Sequence, residues 1–358
     1  MNRLRDGQRG PAVSVLLRAW NRPSGLSTAI ESALTQTHTD LEVVVSDDSG
    51  ALDAVATGFD DPRVKYYPNP APAGPAANLR RAASLARGRF FAILCDDDRW
   101  LESFLESTVA VLKRDPAVGV VFTDHFLEVG GLSIRHGFPY AAGRHDRLLT
   151  EILEHSIPAS ANLMRREVWE DGERAVPLRD NMIGDNTTWL RAASGGHPFY
   201  YLPESLAVTR IHPDQVSWSE DGLSGRLIAT LNAFRFDDPL AEDLRRARLS
   251  EALFARAGSN LRARRPGAFW HDLRSALAVT ARPPGLRVLL AVTGARRNVA
   301  RLAVRHPRAG FRALWLWSRI RPPALRGHST AKPRPELAGA GRARPPGAGE
   351  RSVQLSRS

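Results

Sequence analysis

The chain has 358 residues, 43% of them hydrophobic, so it can bury a sizeable core, and disorder of the whole chain is excluded. Its single cysteine, Cys95, excludes an intrachain disulfide and a cysteine-built zinc site. The formal net charge of +12 is unevenly spread: residues 221–358 hold 27 Lys and Arg against 9 Asp and Glu, whereas residues 1–220 hold 23 against 29, so the basicity belongs to an appendage.

The first residues carry Arg3, Arg5 and Arg9 with no apolar run before Pro11, and no secretory leader is expected. No stretch approaches the roughly 18 apolar residues of a membrane span. With the lone cysteine, this makes the cytoplasm the expected compartment. From there short apolar runs alternate with helical patterns. Val13–Leu17, Leu41–Ser46, Val64–Tyr67, Phe90–Cys95 and Val118–Phe122 read as strands, continuously apolar as in strands covered on both faces. Leu26–Leu34, Ala51–Gly58, Ala76–Arg87 and Leu101–Arg114 have helical spacing between them. Ser24 is a candidate cap for the first, Gly88 a stop for the third, and Pro116 follows the fourth. The alternation predicts an α/β, Rossmann-like and largely parallel sheet with helices on both sides, whose ligands sit at the carboxyl ends of the strands.

Between His125 and Ser219 the pattern is mixed and continues the same domain. Beyond about Gly222 the chain is helical and arginine-rich, interrupted by Pro283, Pro284 and Pro307. After Arg321 it is Pro, Gly, Ala, Arg and Ser with few large apolar residues, a composition that predicts disorder. The expected organisation is a catalytic domain over 1–220, a basic helical extension over 221–321 and a disordered tail over 322–358.

Charged residues cluster at the predicted strand ends. Asp96, Asp97 and Asp98 follow Phe90–Cys95; three adjacent carboxylates repel one another and are costly unless a cation neutralises them. Hard divalent cations, Mg²⁺ or Mn²⁺, take oxygen ligands and bridge to phosphates. A solvated acidic turn is the bland alternative. Asp47 and Asp48, before Ser49 and Gly50, suit either a base or ribose contact or an ordinary turn. The loop Asn69–Asn78 enters a helix and suits phosphate through backbone N–H groups, or is simply a loop. Asp185 opens a further predicted helix, and His212 follows a strand; each has an ordinary structural reading as a first-turn acid or a lone histidine.

In this order the segments resemble the family-2 glycosyltransferases of the GT-A fold, over about residues 11–220. The opening strand ends in Arg18-Ala19-Trp20-Asn21-Arg22-Pro23, and Ser32, Gln36 and Thr37 follow on a helix. Asp47-Asp48-Ser49-Gly50, the Asn69–Asn78 segment, the acidic turn with Trp100, the Asp185 helix and Arg210-x-His212-x-x-Gln215-x-Ser217 complete the series. The resemblance implies metal-dependent, inverting transfer of a sugar from a nucleoside diphosphate to a hydroxyl, in polysaccharide or glycolipid synthesis. It implies that Asn21, Asp47, Asp48, Asn78, Asp96 and Asp97 contact the donor, and that Asp96, Asp98 and His212 serve the metal. Asp185 matches the general base. The chain departs from the pattern at Cys95 (for Asp), Gly184 (for Glu), Ala77 (for Arg) and Arg18 (for Pro). The partners implied are a nucleoside-diphosphate sugar and a glycan or lipid-linked acceptor, with no nucleic acid. The alternatives are an inactive nucleotide-sugar-binding protein and a sugar-1-phosphate nucleotidyltransferase, though the latter needs a glycine-rich triphosphate loop that Arg18–Pro23 does not provide.

The last third adds one expectation. Residues 274–358 hold 18 Lys and Arg against Glu336 and Glu350. Arg301, Arg305, Arg308 and Arg312 recur at helical spacing beside Phe311, Leu314, Trp315 and Trp317. That pattern suits either a helix lying on an anionic membrane surface or a helical subdomain packed on the core.

Overall fold

The computed structural model describes residues 10–129, 132–212 and 222–279. In chain order the strands are β1 (Val13–Ala19), β2 (Leu41–Asp47), β3 (Val64–Pro68), β4 (Phe90–Cys95), β5 (Arg99–Trp100), β6 (Val120–Val129), β7 (Leu132–His136), β8 (Gly143–His145), β9 (Asn162–Arg165) and β10 (Phe199–Arg210). The helices are α1 (Pro23–Leu34), α2 (Asp53–Thr57), α3 (Pro75–Leu85), α4 (Phe104–Arg114), α5 (Leu149–Glu154), α6 (Arg166–Ala175), α7 (Gly184–Ser194), α8 (Gly222–Asn232), α9 (Pro239–Arg262) and α10 (Pro266–Val279).

The strands form one sheet in the order β3-β2-β1-β4-β9-β6-β10-β5, with β7 on β6 and β8 on β10. β1 runs parallel to β2 and β4, β2 to β3, and β6 to β10. β9 lies antiparallel between β4 and β6. Side chains alternate faces along each strand. Val13, Val15, Leu17, Val43, Val45, Ala92 and Leu94 pack under α1 and α4. Leu16, Val44, Phe91 and Ile93 pack on the other face with Leu79 of α3 and Trp189 of α7. Both faces are therefore covered, as the continuous apolar runs predict, and the class is the α/β GT-A type.

Ser24 does not cap the first helix. α1 begins one residue earlier, at Pro23, with Arg22 before it and no side-chain cap. Proline suits that position because its missing N–H would have had no helical partner.

The helices beyond residue 220 share the core. Ile228, Leu231 and Phe234 of α8 and its following turn, with Leu244, Leu253 and Phe254 of α9, join the cluster that holds Trp169 and Trp189. Thr230 Oγ1 accepts a hydrogen bond from Ile183 N at 3.0 Å, tying α8 to the start of α7. Among the described residues no helix is long and apolar enough to cross a membrane. The arginine-rich stretch around Arg301–Arg312 and the tail over 322–358 lie outside the described residues.

Candidate active site

The carboxyl ends of β1, β2 and β4 meet the starts of α3 and α7. Three turns carry the polar side chains. After β1, Trp20 is exposed and Asn21 takes a positive φ of 48°, which reverses the chain into α1. That reversal brings Gly25 so close to the acidic turn that a Cβ there would lie 2.2 Å from the Asp96 carbonyl oxygen. The first turn of α1 is thereby pressed onto Asp96.

The three adjacent aspartates diverge. Asp96 accepts from Trp20 N at 2.7 Å and from Arg22 Nη1 at 2.9 Å, so it braces the β1 turn. Burial nonetheless pushes its carboxyl above the usual range, with Asp97 adding to the effect. Asp97 faces His212, whose Nε2 lies 3.0 Å from Oδ2, and Arg22 Nη1 at 3.6 Å. Burial works against its charge, but the hydrogen bond with His212 and the Arg22 guanidinium hold it below the usual range. Asp98 accepts from Ser160 Oγ at 2.6 Å and Arg210 N at 3.1 Å. Burial, followed by the charge of Asp97, pushes its carboxyl up to about 8.

Cys95 Sγ and the carboxylates of Asp97 and Asp98 offer ligand atoms within 4.8 Å of one another. The two carboxylates suit a hard divalent cation: both supply oxygen, and an added positive charge relieves the repulsion that raises Asp98. The Cys95 thiol fits less well, because burial pushes it up to about 12 and it stays protonated at neutral pH. The grouping thus sets Asp97 beside Asp98, with Asp96 turned away and His212 reached through Asp97.

The β2 turn is braced internally. Asp47 is fully buried and accepts from Ser49 N, Ser49 Oγ, Leu52 N and Tyr66 Oη at 2.6–3.0 Å. Burial opposes its charge, yet those donors hold its pKa low. Asp48 accepts from Asn69 Nδ2 (2.8 Å), Ala73 N (2.8 Å) and Gly74 N (2.7 Å), pinning the loop that leads into α3. Asn78 completes the brace, donating to the Ala19 carbonyl at 3.3 Å and accepting from Asn69.

Across the cleft, Asp185 lies in the first turn of α7, its Oδ1 accepting from Asn186 N at 2.9 Å. Arg18 links this side to the acidic turn. Its Nη2 donates to Cys95 Sγ at 3.2 Å, while Nη1 lies 3.9 Å from the point a Gly184 Cβ would occupy. Burial works against the Arg18 charge, but Cys95, Asp185 and Asp97 around it raise its pKa. Of the sequence-predicted residues, Asn21, Asp47, Asp48, Asp96, Asp97 and Asp98 lie at the carboxyl ends of β1, β2 and β4, Asn78 and Asp185 lie in the first turns of α3 and α7, and His212 lies against Asp97.

Sequence reasoning missed Ser160. Its hydroxyl serves Asp98 and Cys95 N (3.1 Å), and its carbonyl accepts from Trp100 Nε1 at 2.6 Å. A lone serine before a four-residue strand carries no periodic signal. Glu128 was also missed; it pairs with Arg99 at 2.7 Å and Arg210 at 3.6 Å beside the acidic turn.

Residues 14–172 match the family model described as "Glycosyl transferase family 2". A UDP-Glc:alpha-D-GlcNAc-diphosphoundecaprenol beta-1,3-glucosyltransferase, WfaP of Escherichia coli, is 26% identical over 118 residues, 32% of this chain and 47% of that protein. A GalNAc(5)-diNAcBac-PP-undecaprenol beta-1,3-glucosyltransferase of Campylobacter jejuni is 32% identical over 126 residues, 34% of this chain and 40% of that protein. The chain spans about half the length of the curated relatives it matches. Among solved structures, S. aureus TarS 1–349 in complex with UDP-GlcNAc superposes with a TM-score of 0.58 at 15% identity, covering 84% of this chain and 90% of that one. The mannosyltransferase PcManGT of Pyrobaculum calidifontis, in complex with GDP-Man and Mn²⁺, gives a TM-score of 0.51 at 18% identity, covering 86% and 88%. At these identities the structural likeness establishes the fold.

Proposed function

We propose, for a chain whose residues 14–172 match the glycosyl transferase family 2 model, that it moves a sugar from a nucleoside-diphosphate sugar to a hydroxyl with inversion at the anomeric carbon. The observation that carries this is the placing of two acidic functions across one cleft. Asp97 and Asp98 stand at the end of β4, Asp185 stands at the start of α7, and Arg18, bonded to Cys95, carries its charge between them.

Asp97 and Asp98 would hold a divalent cation, Mg²⁺ or Mn²⁺, and that ion supplies charge compensation for the departing diphosphate. The likeness to a mannosyltransferase fold seen with Mn²⁺ supports this choice. Asp185 would accept the proton of the attacking hydroxyl at its carboxylate. Attack opposite the diphosphate in a single displacement inverts the sugar carbon. Asp48 and Asn78 fix the loop before α3, and Asn21 and Trp20 border the mouth of the site.

The acceptor class we propose is a glycan or a lipid-linked saccharide, in polysaccharide or glycolipid synthesis on the cytoplasmic face of a membrane. The diphosphoundecaprenol-linked acceptors in the names of the two relatives support it. Reversible attachment to anionic lipid follows as part of this reading, because residues 280–358 hold 17 Lys and Arg against two acids. Full-length protein should co-sediment with anionic vesicles, less so as salt rises, and detach when cut after Val279. The cut belongs there and not near residue 219, because α8 and α9 fill the core.

The decisive experiment is a donor-hydrolysis screen over nucleotide sugars with and without Mn²⁺. Turnover of one donor that requires the ion is expected. Full activity in excess chelator would overturn the metal assignment, and no turnover or binding of any donor would overturn the transferase reading.

A further inference from the structure

Arg18 is placed unlike a structural arginine. In register it stands between Ser46 of β2 and Cys95 of β4, on the face that α3 and α7 cover. Among the described residues its hydrogen bond runs to a sulfur and no carboxylate lies within salt-bridge distance, although the charges of Asp185 and Asp97 act on it. The residue is only partly buried. The point a Gly184 Cβ would occupy lies 3.9 Å from Nη1 and 3.8 Å from Ala76 Cα, which puts the cation beside the starts of both α3 and α7. Neither helix has a side-chain cap. Helix starts carry partial positive charge, which the nearby carboxylates of Asp185 and Asp97 offset, so the guanidinium stays a cation there. An anion entering here meets a cation whose hydrogen bond to Cys95 leaves further N–H donors in its fork. Gly184 keeps the space open: a Cβ there would crowd Leu79 Cδ2 at 3.1 Å and lie at ordinary contact distance from the guanidinium.

We propose that Arg18 is a donor-recognition residue that pairs with an oxyanion of the nucleotide sugar, held between the Asp97–Asp98 pair and Asp185. The oxyanion is either the outer phosphate of the diphosphate or a carboxylate on the sugar. A planar fork of N–H donors matches both. This inference rests on the donor reading above.

Calorimetric titration of the full chain with Mn²⁺ tests it, using UMP, UDP, GMP, GDP, UDP-glucose and UDP-glucuronate as probes on wild type and Arg18→Gln. If the partner is the phosphate, the preference for diphosphate over monophosphate falls about tenfold or more, the size of one hydrogen bond to a charged group. The preference between the two UDP-sugars then stays unchanged. If the partner is a carboxylate, the preference for UDP-glucuronate over UDP-glucose falls by that factor, and the diphosphate preference stays. A second variant leaves Arg18 in place: Gly184→Glu brings a carboxylate to the guanidinium and should produce the same loss. Unchanged ratios in a folded Arg18→Gln, or in Gly184→Glu where the first cannot be purified, overturn the assignment. Wild type that binds no nucleotide of either base overturns the donor reading itself, a result distinct from unchanged ratios.

Discussion

Replacing Asp48 separates a brace from a ligand contact. Its carboxylate accepts three hydrogen bonds, two of them from the backbone of Ala73 and Gly74. Asp48→Ala leaves those two N–H groups without a partner and leaves the Asn69 amide only its bond to Asn78. Each orphaned group costs about 1–3 kcal/mol when buried. Ala73 is exposed and Gly74 half-buried, so water recovers part of the loss, and a total of about 2–4 kcal/mol follows. That is a large share of the roughly 5–15 kcal/mol by which domains are stable. Asp48→Asn keeps the shape and one acceptor oxygen, but it turns an NH₂ toward donors, and should cost about half as much. Urea unfolding at neutral pH reads both variants, and nucleotide titration on the same samples reads the loop's effect on the site. Affinity should fall in step with stability, because the loop that Asp48 pins leads directly into α3. An Asp48→Ala protein that loses under about 1 kcal/mol of stability yet no longer binds nucleotide would refute the reasoning and make Asp48 a ligand contact.

Three further outcomes are expected. Mn²⁺ should raise the melting temperature of the wild type and leave Asp97→Ala unmoved; an equal shift in both would remove Asp97 from the metal site. Asp185→Asn should lower turnover at least about 10²-fold with donor affinity nearly unchanged, and near-normal turnover would reassign the base. Burial, and for His125 also the neighbouring His136, hold both histidines below their ordinary value of 6.5. The unfolded chain therefore takes up more protons, so stability is fully present above about pH 6.5 and is lost as pH falls below it, by up to about 1.4 kcal/mol per pH unit per histidine. Urea midpoints between pH 7 and 5 check this, and the drop should shrink in His125→Phe.

Which parts of this architecture were legible depended on how locally each was encoded. β1, β2 and β4 are largely apolar runs buried on both faces, a pattern that needs no partner to be recognised, and acidic residues mark the ends of β2 and β4. β6 extends to Val129, well past the predicted Phe122, because Thr123, Asp124 and His125 are buried although polar. Asp124 is satisfied by Tyr201 and Arg135, which arrive from β10 and β7, and nothing local signals such partners. The charge step at residue 220 suggests an appendage, yet net charge says nothing of the apolar residues of α8 and α9 that join the core cluster holding Trp189. The acidic turn was visible as three aspartates, but their division of labour was not. Trp20 N and Arg22 draw Asp96 toward β1, Ser160 and Arg210 N draw Asp98 toward β9 and β10, and Asp97 is left to His212 and the cleft. Those partners lie 62 to 115 residues away in sequence. Tertiary hydrogen bonds, and not the order of the residues, decide which two carboxylates stand together, so the same Asp-Asp-Asp run on another scaffold could pair differently.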